Sequence, residues 1–295
     1  LRTLILVAVF GFLAQLVDGS LGMAYGLTSA TLLVAIGTLP AVTSAATHLA
    51  EVGTTLASGS AHARFGNVHW PTVARLALPG ALGAFVGATL LSHLSAAMVK
   101  GPIALFLLAL GVFVLWRFLT GQSRVAAPRP LKTGPTVALG LAAGTLDAMG
   151  GGGWGPMTTP ALLARNALDP RKVVGSVSAS EFLVALAASI AFVIHLDFHL
   201  IPWQLVLALL IGGVAAAPIA AWVVKSLPLW LLGSVVGGVI ITTNSITIAR
   251  WAGAEGPAQL AIASVIALLL GAVVISKLIA ERRTARTLAL QPVSA

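Results

Sequence analysis

Residues 147–156 read Asp-Ala-Met-Gly-Gly-Gly-Gly-Trp-Gly-Pro, with four consecutive glycines inside an apolar run. An earlier stretch has the same layout: Asp18-Gly19-Ser20-Leu21-Gly22-Met23-Ala24-Tyr25-Gly26. At one offset of 129 residues, Asp18 matches Asp147, Gly22 matches Gly151, Tyr25 matches Trp154 and Gly26 matches Gly155. A buried carboxylate and a flexible break in the backbone are each costly in lipid. Their pairing at two equivalent places restricts the chain to halves that meet and build one site.

Lipid is the medium because the rest of the chain leaves no other. Of 295 residues, 58% are hydrophobic and 8% charged, with a mean hydropathy of +1.01. A soluble domain carries about 25% charged residues. The apolar runs are continuous and of helix length, unlike the alternating strands of a membrane barrel. The chain is therefore a polytopic helical membrane protein. It has no cysteine, which excludes disulfides, thiolate catalysis and cysteine metal sites. The net charge of +9 does not point to nucleic acid, because the bases lie between apolar runs, as in cytoplasmic loops near anionic lipid.

The first apolar run covers residues 3–39. As one helix it would extend about 55 Å against a hydrocarbon core of about 30 Å. It must fold back or cross twice, with the break at Asp18–Gly22. Residues 1–17 could also be read as a signal peptide, but the matching arm at 134–147 is internal, and a membrane arm serves both copies. Apolar segments follow at 41–63, 71–94 and 97–119, then a basic, proline-containing linker at 120–133. The second half repeats the order: arms at 134–147 and 153–167, then helices at 171–195, 202–226 and 228–250. Pro40 matches Pro170 and Glu51 matches Glu181 at offset 130. The expected organisation is a membrane repeat over 1–119, the linker 120–133, a second repeat over 134–251, an additional span within 252–280, and a basic cytoplasmic tail over 281–295.

Loop charges choose the relation between the halves. If each half crosses an odd number of times, the halves are inverted, and one side receives all the 17 bases except Arg2, Lys100 and Arg250. If each half crosses an even number of times, the linker bases land opposite Arg165, Arg171, Lys172 and the tail. The odd arrangement obeys the positive-inside rule. It places the N-terminus outside and the C-terminus in the cytoplasm of a multi-pass protein of the cell membrane. The expected fold is all-α, with two inverted-topology repeats whose glycine-broken helices meet near the bilayer midplane, plus one extra C-terminal span.

Of eight acids, Asp18, Asp147, Glu51 and Glu181 fall inside apolar runs. Each costs about 2.5–3.5 kcal/mol at the membrane centre, so four need a reason. Asp18 and Asp147 could cap the helices that follow them. They could also carry protons or gate the site, and both roles are compatible. Glycines at small-residue spacing serve close helix packing, as at Gly83 and Gly87. Gly150, Gly151, Gly152 and Gly153 in succession do not make one helix stripe. They fit an unwound segment whose N–H groups, with those near Gly22, Gly26 and Trp154, would face a small anion at two helix starts. Thr28, Thr158 and Thr159 are candidate hydroxyl donors to that anion, or bond back to their own helix. His48 and Glu51 share a helix face and join the coupling or gating group. One histidine, with Ser178 at the matching place, is too few ligands for a metal centre, so no metal or cofactor is expected.

These features resemble the TauE/SafE family of sulfite and organosulfonate exporters. The resemblance rests on the duplicated Asp-glycine motif at 147–156 and 18–26, the Pro40 and Pro170 turns, paired Glu51 and Glu181, and the basic linker. It covers nearly the whole chain. It implies export of small sulfur-containing anions, in exchange with or driven by protons, by a transporter that is not an enzyme. The residues themselves give an inverted-repeat carrier with an anion pocket and no named substrate. Two other classes stay open on the residues: an intramembrane aspartyl enzyme using Asp18 and Asp147, and a cation or metal carrier using the four acids. A homodimer is possible.

Overall fold

The computed structural model describes residues 2–120, 131–163, 165, 168–223, 229–254 and 256–289. Arg124 and Arg129 of the linker, and the end of the tail, lie outside the described residues. The described chain is helical, with no strand. Its helices are α1 (Arg2–Leu21), α2 (Tyr25–Ala35), α3 (Pro40–Arg64), α4 (Trp70–His93), α5 (Ala96–Thr120), α6 (Thr133–Gly150), α7 (Trp154–Leu163), α8 (Pro170–His195), α9 (Trp203–Val223), α10 (Leu229–Trp251) and α11 (Gly256–Ala289). A short 3-10 turn, Phe198–Leu200, joins α8 to α9.

Local chemistry sets the helix starts. Pro40 opens α3 and Pro170 opens α8, where a missing N–H leaves nothing unpaired. The Asp169 carboxylate caps α8 by accepting from the Arg171 N–H at 2.9 Å. Helices α1, α4, α8, α9 and α11 are long and apolar enough to cross a membrane. Helix α3 has the length, 25 residues, but a buried stripe of polar side chains lowers its hydropathy. Helices α2 and α7, with 11 and 10 residues, rise only about 15 Å, half a bilayer core. They do not cross alone. The additional helix α11 runs on past residue 280 to Ala289 and packs against α10.

The breaks are real but sit slightly later than expected. Asp18 lies inside the last turns of α1, and the chain leaves the helix after Leu21. Gly150 is still helical; α6 ends on Gly151 in the left-handed conformation, φ 72°, whose N–H reaches the Asp147 carbonyl at 2.7 Å. In the first copy Gly22 takes φ 67° and Ala24 takes φ 119°. The second value is unusual for a residue with a Cβ.

Helix pairing follows small residues. Gly11 faces Leu209 and Gly19 faces Ala220, so α1 and α9 run parallel in contact. Gly140 faces Leu76 and Gly144 faces Gly80, so α6 and α4 do the same. Gly101 meets the Trp251 ring, Gly111 meets Ile240 and Gly237 meets Leu115, so α5 and α10 run antiparallel. Gly59 meets Ala179 and Gly175 meets Asn67, making α3 and α8 antiparallel too. Each pair thus joins one half to the other, and exchanging the halves maps the set of pairs onto itself.

The breaks pack on one another backbone to backbone. A Cβ on Gly152 would run into the backbone of Gly26 and Leu27, and one on Gly155 would meet Met23 Cα at 2.5 Å. Gly152→Ala should therefore cost about 1–3 kcal/mol, the range for overpacking a tight interior. Gly134→Ala, with open space around it, should leave stability equal or slightly raised. Thermal unfolding of the purified variants measures both. Equal melting of Gly152→Ala and wild type would contradict the close crossing.

Candidate functional site

The aspartates are placed by the helices that precede the breaks, and they grip the helices that follow. Asp147 Oδ1 accepts from the Gly153 N–H at 2.6 Å and from the Trp154 N–H at 2.8 Å. Asp18 Oδ1 accepts from the Tyr25 N–H at 3.3 Å. These are the orphan donors of the first turns of α7 and α2, satisfied by a carboxylate at the positive end of the helix dipole. The capping role is therefore present, and in this conformation the amides are occupied by the protein's own carboxylates.

Asp147 turns its second oxygen toward His48, with Oδ2 3.9 Å from His48 Nδ1. His48 Nδ1 is 2.7 Å from Glu51 Oε2, one turn along α3. The His48 ring lies nearly parallel to Phe192 of α8, with centroids 6.2 Å apart. Glu51 Oε1 covers Gly26, where a Cβ would stand 2.5 Å from it. Glu181 of α8 is buried within the electrostatic reach of Asp18, Glu51 and Asp147. All four acids from the apolar runs thus converge, two from each half, with His48 as the basic group among them. Asp147 Oδ2, Glu51 Oε1 and His48 Nε2 have no hydrogen-bond partner in the protein. Buried polar atoms are normally satisfied, and these three are left to a partner from outside the protein chain.

His48, Glu51 and Asp147 each bring one ligand atom within 4.8 Å of the others. Three donors fall short of a closed four-ligand site, and His48 Nδ1 is already engaged with Glu51. We read the trio as an ion-pair network. No hydrogen bond joins Asp18 to Asp147 among the described residues, and each carboxylate is occupied with its own helix start. A proton-sharing aspartyl dyad needs direct contact.

The remaining expected residues sort by position. Gly22 presents its carbonyl to the Thr159 hydroxyl at 2.6 Å, which ties α7 to the first break. Thr158 bonds back to the Trp154 carbonyl at 2.6 Å. Thr28 is buried and its hydroxyl has no partner in the protein. The Trp154 ring packs against Gly80 and Val184, and its indole N–H reaches the Val177 carbonyl at 3.3 Å. Gly150 lies against Phe106, Gly151 against Ala30 and Ser44, and Gly153 against Asp147. Asn244 of α10 donates to Thr31 of α2 at 3.0 Å, across helices.

Sequence reasoning missed a set of buried polar groups on α1 and α3: Gln15, Thr47, Thr55, Ser58 and His62. The signal was there. Positions 48, 51, 55, 58 and 62 of α3 recur at steps of three and four, which is one helix face. A polar face running through a membrane helix marks a cavity or a partner helix.

With this geometry in hand, comparison with known proteins identifies its setting. A family model described as "Sulfite exporter TauE/SafE" matches residues 7–247. A curated relative, "Probable membrane transporter protein YtnM" from Bacillus subtilis (strain 168), is 51% identical over 250 residues, covering 84% of this chain and 83% of that protein. No solved structure matches the chain. A multi-helix chain that this family model matches over most of its length, 51% identical to a probable membrane transporter protein, is a member of the sulfite exporter TauE/SafE family.

Proposed function

We propose that the chain exports small anions, sulfite, a sulfonate or a related organosulfur anion, by proton-linked alternating access. The convergence of four carboxylates from two halves on one pair of crossed helix breaks is the observation that carries this reading. An anion near these groups is repelled by each one that is ionised. At about 8 Å and an effective dielectric near 20, each charge costs about 2 kcal/mol. Several ionised acids together outweigh the roughly 4–8 kcal/mol of a millimolar to micromolar complex. The anion therefore binds with protons, and carriage of the two is linked.

The caps supply the coupling device. When Asp147 takes a proton, its hold on the Gly153 and Trp154 amides weakens, because hydrogen bonds to a charged acceptor are about twice as strong as neutral ones. The same holds for Asp18 and Tyr25. The released amides, with Gly22, Gly26, Gly150–Gly153 and the Thr28 hydroxyl alongside, are then free to take the anion. Glu51, Glu181 and His48 hold further protons in the same field. Loading by protons opens the arm to the anion, and deprotonation closes it.

Alternation comes from inverted repeats. The antiparallel pairing of α3 with α8 and of α5 with α10 supports inversion, since each joins matching helices of the two halves. The parallel pairs α1 with α9 and α4 with α6 fit the same two-fold relation. With the basic loops in the cytoplasm, the N-terminus lies outside and the last span ends inside.

A cation carrier is the second reading, because the same acids would also suit a positive solute. Flux in proteoliposomes separates the two. Sulfite or a small alkylsulfonate should move, and faster with an imposed pH gradient, whereas divalent cations should not. Movement of the cations alone would replace the anion reading. Asp147→Asn should keep the fold, since an amide oxygen still accepts from Gly153 and Trp154. Its anion flux should fall at least about tenfold and lose its response to the gradient, as expected of a group that supplies general proton transfer; unchanged pH dependence would count against the coupling role.

Sidedness has its own test, and a chain without cysteine suits it. Lys132→Cys in whole cells should resist a membrane-impermeant maleimide, and Arg250→Cys should react. The reverse pattern would place the basic loops outside.

A further inference from the structure

Around Gly19 of α1 lies a polar patch that the helix breaks do not use. A Cβ on Gly19 would stand 2.7 Å from the Ala220 methyl of α9, 3.6 Å from Gln15 Nε2 and 3.8 Å from Ser58 Oγ, so the two polar groups flank the point where α1 meets α9. Ser178 of α8 donates its hydroxyl to Ser58 Oγ at 2.9 Å. His62 Nε2 sits 3.2 Å from the Gly19 carbonyl. Three helices, α1, α3 and α8, thus bring four polar side chains together. All are buried: Gln15 and Ser178 are 0% and 1% exposed, Ser58 and His62 1% and 3%. Yet Gln15 Nε2, Gln15 Oε1 and His62 Nδ1 have no partner in the protein. A buried polar atom left without a bond costs about 1–3 kcal/mol. Three in one patch point to a polar guest.

The donor chemistry selects the guest. The Gln15 amide offers two N–H groups. Ser58 accepts from Ser178, which leaves its own O–H to donate. A carbonyl can only accept, so His62 Nε2 carries the proton facing Gly19, and Nδ1 of the neutral ring is an acceptor, as is Gln15 Oε1. No carboxylate belongs to the patch. Asp18 is next to Gly19, Glu181 is one turn beyond Ser178, and Glu51 is two turns before Ser58, so the acids border it from each helix. Donors and acceptors in one patch suit a small oxyanion that brings a proton of its own, such as hydrogensulfite.

The patch is not repeated at the symmetry-related place. At the repeat offsets, Gln15 matches Gly144, Ser58 matches Ala188 and His62 matches Phe192. Ser178 matches His48, whose ring Phe192 stacks on, so the matching place is built differently. Packing needs of the repeated fold therefore do not explain the polar set.

We propose that Gln15, Ser58, His62 and Ser178 form a headgroup subsite that holds the oxyanion before it reaches the crossed helix breaks. This rests on the reading that the cargo is a small oxyanion. The test is calorimetric titration of the full-length protein in lipid nanodiscs with sodium sulfite and with methanesulfonate. Gln15→Glu keeps the shape and removes the N–H donors. Ser58→Ala removes a hydroxyl. Each should bind at least about tenfold more weakly, the effect of losing a hydrogen bond to a charged group, with ligand-free melting close to wild type. Where Gln15→Glu fails to fold, Gln15→Met and Ser178→Ala carry the same expectation. If wild type binds and the folded variants match it within about twofold, the subsite is wrong and the transport reading stands. If wild type binds neither anion, the subsite and the oxyanion reading fall together.

Discussion

The arrangement depends on a carboxylate facing the free amides of a broken helix in a medium without water. In lipid, a helix that stops midway exposes donors that nothing else can satisfy. Asp147 does so for α7 and Asp18 for α2. The cap solves one problem and creates another, because it brings a negative charge into a low dielectric. The acid and the break are stable only as a pair. This is why the two features recur together at one offset in the sequence, and why the acids accumulate where the breaks cross.

Close packing of backbone is the second constraint. Lipid gives helices no hydrophobic reason to associate, so contact must come from fit and dispersion. Glycine is the residue that lets backbones touch, and it appears at each major pairing: Gly11 and Gly212 between α1 and α9, Gly83, Gly87 and Gly144 between α4 and α6. The crossing of the breaks extends the same rule, with Gly152 against Gly26 and Leu27. Four successive glycines serve conformation and approach at once. Gly151 supplies the left-handed turn, Gly152 the contact, and Gly153 the amide that Asp147 holds.

Much of this was legible in the sequence. Uninterrupted apolar runs gave the helices, and the proline turns gave the starts of α3 and α8. The repeat offset paired Asp18 with Asp147 and Glu51 with Glu181, and the excess length of the first run required a break. Other parts depend on contacts between distant segments. Nothing in the local pattern says that the Gly153 amide meets Asp147 Oδ1, or that the Trp154 ring turns into the α4–α8 core. Thr158 and Thr159 look alike in the sequence, yet one bonds its own helix and the other crosses to Gly22. The polar face of α3 is visible in the sequence only as a set, because a histidine or serine alone carries little signal.

Repeated backbone does not mean repeated chemistry. The matching helices α3 and α8 lie antiparallel in contact, and their repeat-equivalent positions differ: Thr47, Thr55, Ser58 and His62 on one, Val177, Ala185, Ala188 and Phe192 on the other. For an inverted carrier, equal halves would make the two end states equal in energy, since each is the other turned over. Side chains are what separate them. In the proposed carrier, a polar face beside the acids would favour the anion on one side of the crossed breaks, and the Phe192 ring against His48 would disfavour it on the other. A bias of about 1.4 kcal/mol shifts a two-state population tenfold, and one unmatched buried hydrogen-bonding group is worth that much. In the proposed carrier, the difference between His62 and Phe192 would thus be large enough to favour one end state over the other.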